Sequence, residues 1–273
     1  MTNPTSQPAI HMQLTRSGAG EPPLVFVHGF GCSRTDWRPQ VDYFSLRHAV
    51  FACDLRGHGQ TPGVADDCSI PTYGADVAQL LAQRDLGNAV LVGHSMGCRV
   101  VLQAAMDAPT RVGAVVLIDS SQLASGDPAA AEAVARASIE RAGYAGFSRD
   151  FFDGMFVASS PPKLKRAICA RAADLPASIG ARLFPRMVAW DAQHMEAALA
   201  TLRVPLLVIQ STYLNADRVR VSLEPGVDTP WLQTVRRCVP GARVEVVCGV
   251  GHFPQAEAPE RVNRLIESFI GAL

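Results

Sequence analysis

The sequence predicts an α/β protein built on an open, mostly parallel sheet, and three observations carry that expectation. Six short runs rich in β-branched and apolar residues recur along the 273 residues, at 24–28, 50–54, 89–93, 115–119, 206–211 and 244–248. Apolar at nearly every position, they suit strands that helices cover on both faces. Segments with helical periodicity separate them, and that alternation is the mark of βα units. Hydrophobic residues make up 48 % of the chain and charged residues 18 %, a composition that fills a large core and excludes a disordered chain.

Taken in order, the first run ends at the glycine turn His28-Gly29-Phe30-Gly31, and the second at Asp54-Leu55-Arg56-Gly57-His58-Gly59. A helical pattern over 72–85 leads to the third run, which passes through Gly93-His94-Ser95-Met96-Gly97 straight into a helical pattern over 98–107. The fourth run ends at Asp119. About eighty residues of Ala-rich helical pattern follow, too long for a structureless loop in a compact domain. They are punctuated by Gly126-Asp127-Pro128, Gly143, Gly146, Ser160-Pro161-Pro162 and Pro176. Residues 122–200 are therefore expected to form a helical cap, with 1–121 and 201–273 as the core domain. After the fifth run a polar and aromatic stretch, 212–228, delays the next helix to Thr229-Pro230-Trp231, where Thr caps and Pro takes the first turn. The last run leads to Gly251-His252-Phe253-Pro254 and a closing amphipathic helix, 259–273, with Pro259 in its first turn.

Charge and cysteine usage narrow the function classes. Lys plus Arg and Asp plus Glu are 25 each, so no basic field favours nucleic acid and no acidic tail is present. The first twenty residues lack a basic start followed by an apolar run, and no later stretch is apolar over the length of a membrane span. A soluble, cytoplasmic protein with neither nucleic-acid nor membrane partners is expected. Seven cysteines with no C-x-x-C pair point to reduced, mostly buried thiols rather than a metal site or disulfide framework. The sequence sets no oligomeric state.

Three segments carry chemistry. Gly93-His94-Ser95-Met96-Gly97 is a G-x-S-x-G at the end of a strand and the start of a helix, the context in which a sharp turn exposes a strained nucleophilic Ser. His28-Gly29-Phe30 places backbone N–H groups beside it, and the N–H groups of Phe30 and Met96 are the natural pair to hold an oxyanion. The His28 side chain is expected to shape the turn rather than move protons. His252, on the loop after the last strand, is placed to act as general base. His11, His48 and His194 are expected to be structural or solvated.

These segments together resemble the α/β-hydrolase superfamily, with matches from His28-Gly29 through Asp54 to Gly59 and the Ser95 elbow to Gly251-His252. The resemblance implies the α/β-hydrolase fold with a helical cap and a Ser, acid, His order along the chain. A Ser at the elbow departs from dehalogenase-like and epoxide-hydrolase-like relatives, which use Asp there. Most relatives place the acid just past the strand equivalent to 206–211, but Thr212, Tyr213, Leu214 and Asn215 stand there. A minority is similar to this chain in placing the acid at the strand next to the elbow strand, which here means Asp119. Asp119 is the favoured acid, with Asp217 next and then Asp228 or Glu224.

The expected activity is hydrolysis of a carboxylic ester through an acyl-enzyme on Ser95, His252 and Asp119, with no cofactor or metal and a small-molecule ester as partner. The rivals are a lactonase, thioesterase or carbon–carbon bond hydrolase on the same residues, a cofactor-free dioxygenase, and a non-enzymatic receptor. Phe147, Phe151, Phe152, Met155, Phe156, Phe184, Met187 and Trp190 supply apolar bulk from the cap, and Tyr213 and Trp231 flank the long loop. Together with the neutral charge balance they suggest a small to medium, uncharged apolar or aromatic ester. Arg34 is expected at the surface, with a substrate carboxylate as its alternative partner.

Overall fold

The computed structural model describes residues 10–217 and 219–273. Residues 1–9, on which half of the expectation of no leader rests, lie outside the described residues, as does Arg218. The chain opens with a strand that no apolar run announces, β1 (Leu14–Ser17). It is half-exposed and pairs antiparallel with β3 (Val50–Cys53) at the sheet edge. Between them lie β2 (Leu24–Val27), a capped turn of 3-10 helix at Arg34–Trp37 and α1 (Arg38–Phe44). Then come α2 (Ile70–Gln83), β4 (Ala89–His94), α3 (Met96–Asp107) and β5 (Val112–Ile118).

Four helices fill the connection from β5 to the next strand: α4 (Pro128–Ala142), α5 (Tyr144–Asp153), α6 (Pro162–Ala172) and α7 (Ala177–Thr201). Asp127 caps α4 by accepting from the Ala129 N–H, with Pro128 in the first turn. After β6 (Leu206–Gln210) a small antiparallel hairpin, β7 (Thr212–Leu214) and β8 (Arg220–Ser222), occupies the start of the stretch that reads as a long loop in the sequence. The Thr229 hydroxyl then caps α8 (Pro230–Cys238). The chain ends with β9 (Arg243–Val246), the short α9 (Pro254–Glu257) and α10 (Pro259–Ile270).

The main sheet runs β1-β3-β2-β4-β5-β6-β9, parallel except for β1. Alternate residues of each central strand enter two cores. Val25, Val27, Leu91, Val115 and Leu117 face α2, α3 and the β5–β6 helices. Leu24, Phe26, Val90, Val92 and Val116 face Trp37, α1 and α10. Burial on both faces explains why these strands read as unbroken apolar runs. The chain moves outward from β2 to β3 and then crosses back to β4, so the carboxyl ends of β2 and β4 flank the point where strand order reverses. Open α/β sheets bind ligands at that place. All seven cysteines are free; Cys32, Cys53, Cys68 and Cys98 are buried, and Cys169, Cys238 and Cys248 are half-buried. No helix among the described residues is long and apolar enough to cross a membrane.

Candidate active site

Ser95 stands between β4 and α3 with φ 54° and ψ −115°, a conformation that L residues adopt only where the surroundings hold them. Those surroundings are glycine-dependent. A Cβ on Gly97 would collide with the Val27 carbonyl of β2, and one on Gly93 with the Gly97 carbonyl. The Ser95 N–H donates to Ile118 O at 3.0 Å, while the Ser95 carbonyl accepts from Cys98 N–H and from Arg99 Nη1, each at 3.1 Å.

His252 Nε2 lies 2.8 Å from Ser95 Oγ, and His252 Nδ1 lies 2.6 Å from Asp119 Oδ2. Asp119, one residue past β5, is the other site residue with positive φ, at 42°. Its carboxylate is fully subscribed. Oδ1 accepts from the Ser211 and Thr212 N–H groups at 2.7 and 2.8 Å, and Oδ2 from Thr212 Oγ1 at 2.5 Å and from His252. Because an ionised carboxylate only accepts, Nδ1 of His252 carries the proton and Nε2 is left to accept from the Ser95 hydroxyl. Burial brings His252 down to about 4, with the Arg220 charge pushing the same way and the Asp119 hydrogen bond opposing. Burial pushes Asp119 up, but the hydrogen bond and charge of His252, then Arg220 and Thr212, more than offset it and hold the carboxyl below its ordinary range.

The structure brings none of the other acids to His252. Asp217 and Glu224 are exposed, and Asp228 is exposed and paired with Arg236. The turn after β6, where most relatives place the acid, instead supplies Ser211 and Thr212 as donors to Asp119. The His252 loop is fixed from three sides. His94 Nε2 donates to the His252 carbonyl at 2.7 Å, Ser211 Oγ donates to Gly251 O at 2.8 Å, and the His252 N–H donates to the carbonyl of Met155, two residues past α5, at 2.9 Å. Two further bonds cross the same seam, Ser160 Oγ to Glu257 at 2.6 Å and Ser159 Oγ to Gly249 O at 2.8 Å. His94 is the first unspecified residue of G-x-S-x-G, so its positioning contact is invisible in the motif.

The backbone N–H groups of Phe30 and Met96 have no acceptor among the described residues. His28 shapes the turn as expected: Nδ1 donates to Gly29 O at 2.7 Å and Nε2 accepts from the Leu55 N–H at 3.0 Å, linking the first two strand-end loops. Arg34 fits neither expected role. It bonds the buried Asp54 through its N–H and guanidinium and reaches Gln60 at 2.7 Å, so it ties down the glycine loop behind the site.

A cavity of about 830 Å³ opens over Ser95 and His252, within the range of small-molecule sites. Phe147, Phe151, Met155, Phe156, Phe184 and Met187 line it as expected, together with Phe30. Phe152 and Trp190 do not: Phe152 is buried behind Phe30 with ring centroids 6.3 Å apart, and Trp190 donates to Gln103 at 3.0 Å. Tyr213 and Trp231 do not line it either; Leu214, Val219 and Arg220 represent the hairpin there. Trp231 is instead buried in the core.

Two arginines of the lining escaped sequence reading. Arg99, on α3, is 1 % exposed and bidentate to Asp191 of α7 at 2.7 and 2.6 Å, while Asp191 also accepts from the Leu123 N–H. Arg220, on β8, donates from Nη1 to Thr212 Oγ1 at 2.6 Å and stands 3.7 Å from Asp119 Oδ2.

The description of the alpha/beta hydrolase family matches residues 24–265. Among curated proteins, the dihydrolipoyllysine-residue acetyltransferase component of the acetoin cleaving system of Pseudomonas putida is 29 % identical over 93 % of this chain and 64 % of its own length. Its counterpart from Cupriavidus necator is 35 % identical over 40 % of this chain and 29 % of its own length. The chain thus spans less than two thirds of either relative. Among solved structures, a thermophilic esterase from Thermogutta terrifontis superposes with a TM-score of 0.82 at 24 % identity, covering 98 % of this chain and 96 % of its own. The enol-lactonase from Burkholderia xenovorans LB400 does so at 0.74 and 20 %, covering 96 % and 98 %.

Proposed function

The chain belongs to the α/β-hydrolase family, and from that premise we propose that it is a serine hydrolase that cleaves a carboxylic ester through a covalent acyl-enzyme. The observation that carries this reading is the unbroken relay from Ser95 Oγ through His252 to Asp119 at 2.8 and 2.6 Å, opening on the cavity. His252 Nε2 takes the Ser95 proton as Oγ attacks the ester carbonyl. The N–H groups of Phe30 and Met96, which have no other acceptor, hold the oxyanion that forms. Asp119 stays ionised and stabilises the imidazolium, which then protonates the leaving alcohol. Water, activated by the same imidazole, attacks the acyl-enzyme and releases the acid.

The apolar and aromatic lining supports a small to medium ester with an aromatic or aliphatic body. A lactone is an ester whose leaving alcohol stays tethered, and the same atoms serve it. The test is a panel of chromogenic esters and lactones with wild type, Ser95→Ala and Asp119→Asn. Turnover by wild type, loss of it in both variants and fluorophosphonate labelling at Ser95 are expected. Oxygen consumption that survives Ser95→Ala, without ester turnover by wild type, would replace this reading with oxygenase chemistry.

A further inference from the structure

We propose that Arg220 forms an anion subsite beside the relay, so that the substrate carries a carboxylate on its leaving-group half; this rests on the hydrolase reading above. Arg220 is mostly buried, its side chain 11 % exposed, and it lines the cavity that holds Ser95 and His252. Its neighbouring carboxylate does not satisfy it. Asp119 stands 3.7 Å away, beyond hydrogen-bond reach, and all four of its acceptor positions are already taken by Ser211, Thr212 and His252. One guanidinium nitrogen donates to Thr212 Oγ1. Nε and Nη2 donate to nothing among the described residues. A mostly buried guanidinium with open donors is a fork shaped for a carboxylate.

The other charges of the lining do not compete for that role. Arg99 is spent on Asp191 and on the Ser95 and Ser121 carbonyls. Asp127 and Asp150 are exposed, the former capping α4 and the latter paired with Arg149, so solvent screens them.

Strand order fixes which half of the substrate meets Arg220. The Phe30 loop follows β2 on one side of β4, whereas Asp119, the hairpin and His252 follow β5, β6 and β9 on the other. The carbonyl oxygen turns to the first side. The leaving group, which receives the proton of His252, turns to the second, where Arg220 stands.

A kinetic consequence follows from the same placement. The Arg220 guanidinium, paired with Asp119 at 3.7 Å but not hydrogen-bonded to it, still opposes the imidazolium that the reaction must form, as its effect on the resting histidine indicates. A substrate carboxylate seated on Arg220 cancels that opposition in the transition state. The anion therefore raises kcat as well as lowering KM.

The experiment compares 3-acetoxybenzoate with its neutral isostere 3-acetoxybenzamide on wild type, Arg220→Gln and Arg220→Lys. Charge-assisted hydrogen bonds of this kind predict roughly a ten- to hundredfold preference for the anion in kcat/KM. The preference should fall to near unity in Arg220→Gln and recover in part in Arg220→Lys, with the kcat share of the preference lost in step. Equal turnover of the two esters by wild type, or a preference that persists in Arg220→Gln, overturns the subsite while leaving the hydrolase reading intact. Absence of turnover of either ester together with absence of Ser95 labelling sinks the hydrolase reading instead. Binding is read separately, on Ser95→Ala protein: benzoate should raise its melting temperature more than benzamide does, and equal shifts overturn the subsite even if the Arg220 variants fail to fold.

Discussion

The carboxyl ends of the strands and the helices between β5 and β6 both enclose the cavity, and they do so under different constraints. At the strand ends the groups of the relay are over-determined. Ser95 and Asp119 hold positive φ, the Asp119 carboxylate accepts four hydrogen bonds, and the His252 loop is tied at three points. The helices instead offer Phe147, Phe151, Phe184 and Met187, whose contacts are apolar and tolerant of exchange. Reaction geometry is thus built on rigid elements and the shape of the cavity on soft ones. An enzyme divided in this way can change what it accepts without disturbing what it does.

The largest expected effect attacks the rigid side. Ser95→Ala and Asp119→Asn should each lower kcat on a neutral ester by about 10⁴-fold or more, measured by steady-state kinetics with folding checked by circular dichroism. Asp217→Asn is the matching control and should stay within about twofold, as an exposed site distant from the relay does. Equal losses in Asp119→Asn and Asp217→Asn would dissolve the contrast.

The seam between the regions comes next. Asp191→Leu strands the buried guanidinium of Arg99 and should destabilise the protein by about 3–5 kcal/mol in urea denaturation. A change below about 1 kcal/mol would mean that the helices pack on the sheet without this lock.

Acid tests the rigid side through its buried imidazoles. Burial brings His252 and His58 down to about 4 and His94 to about 3. Each is neutral in the fold and takes up a proton on unfolding below its ordinary value near 6.5. Stability is therefore insensitive to these groups above about pH 7, and falls as pH drops from about 6.5 towards 4 by roughly 2–3 kcal/mol for each imidazole. Denaturation midpoints at pH 7.5, 6 and 5 check the sign. Activity assayed before unfolding should persist to about pH 5, because His252 protonates, and ceases to act as base, only near 4.

The smallest effect belongs to the soft side. Phe147→Ala or Phe151→Ala should raise KM for an aromatic ester by about tenfold and leave kcat for a short acetate ester little changed. A collapse of kcat on the short ester would show these rings to be part of the machinery.

What the sequence disclosed follows the same division. The proposed nucleophile was legible because a strand, a turn and a helix leave a glycine-marked pattern, and the proposed acid because a carboxylate ends the strand beside the elbow. Their supports were not. Ser211 and Thr212 act on Asp119 through backbone N–H groups that any residue type supplies, joined by the Thr212 hydroxyl from a turn that carries no motif, and His94 acts through a loop carbonyl 158 residues away. The β1 strand stayed hidden because Leu14–Ser17 lies on an edge and alternates weakly. The hairpin stayed hidden because its strands are three residues each. With it went Arg220, so the neutral charge balance pointed to an uncharged substrate. A balance summed over 25 cations and 25 anions says nothing about one guanidinium in a cavity wall.

The bond from the His252 N–H to the Met155 carbonyl bears on how such proteins can be recombined. It makes Met155, two residues past α5, a support for the histidine, alongside Ser159 and Ser160 on the same connection. A chimera that exchanged the helices wholesale would receive a new cavity and lose a fastening of its base. Splice points that retain residues 155–160 with the loop through Glu257, and exchange only the rings of α5 and α7, keep that fastening while the acceptance of the cavity is redrawn.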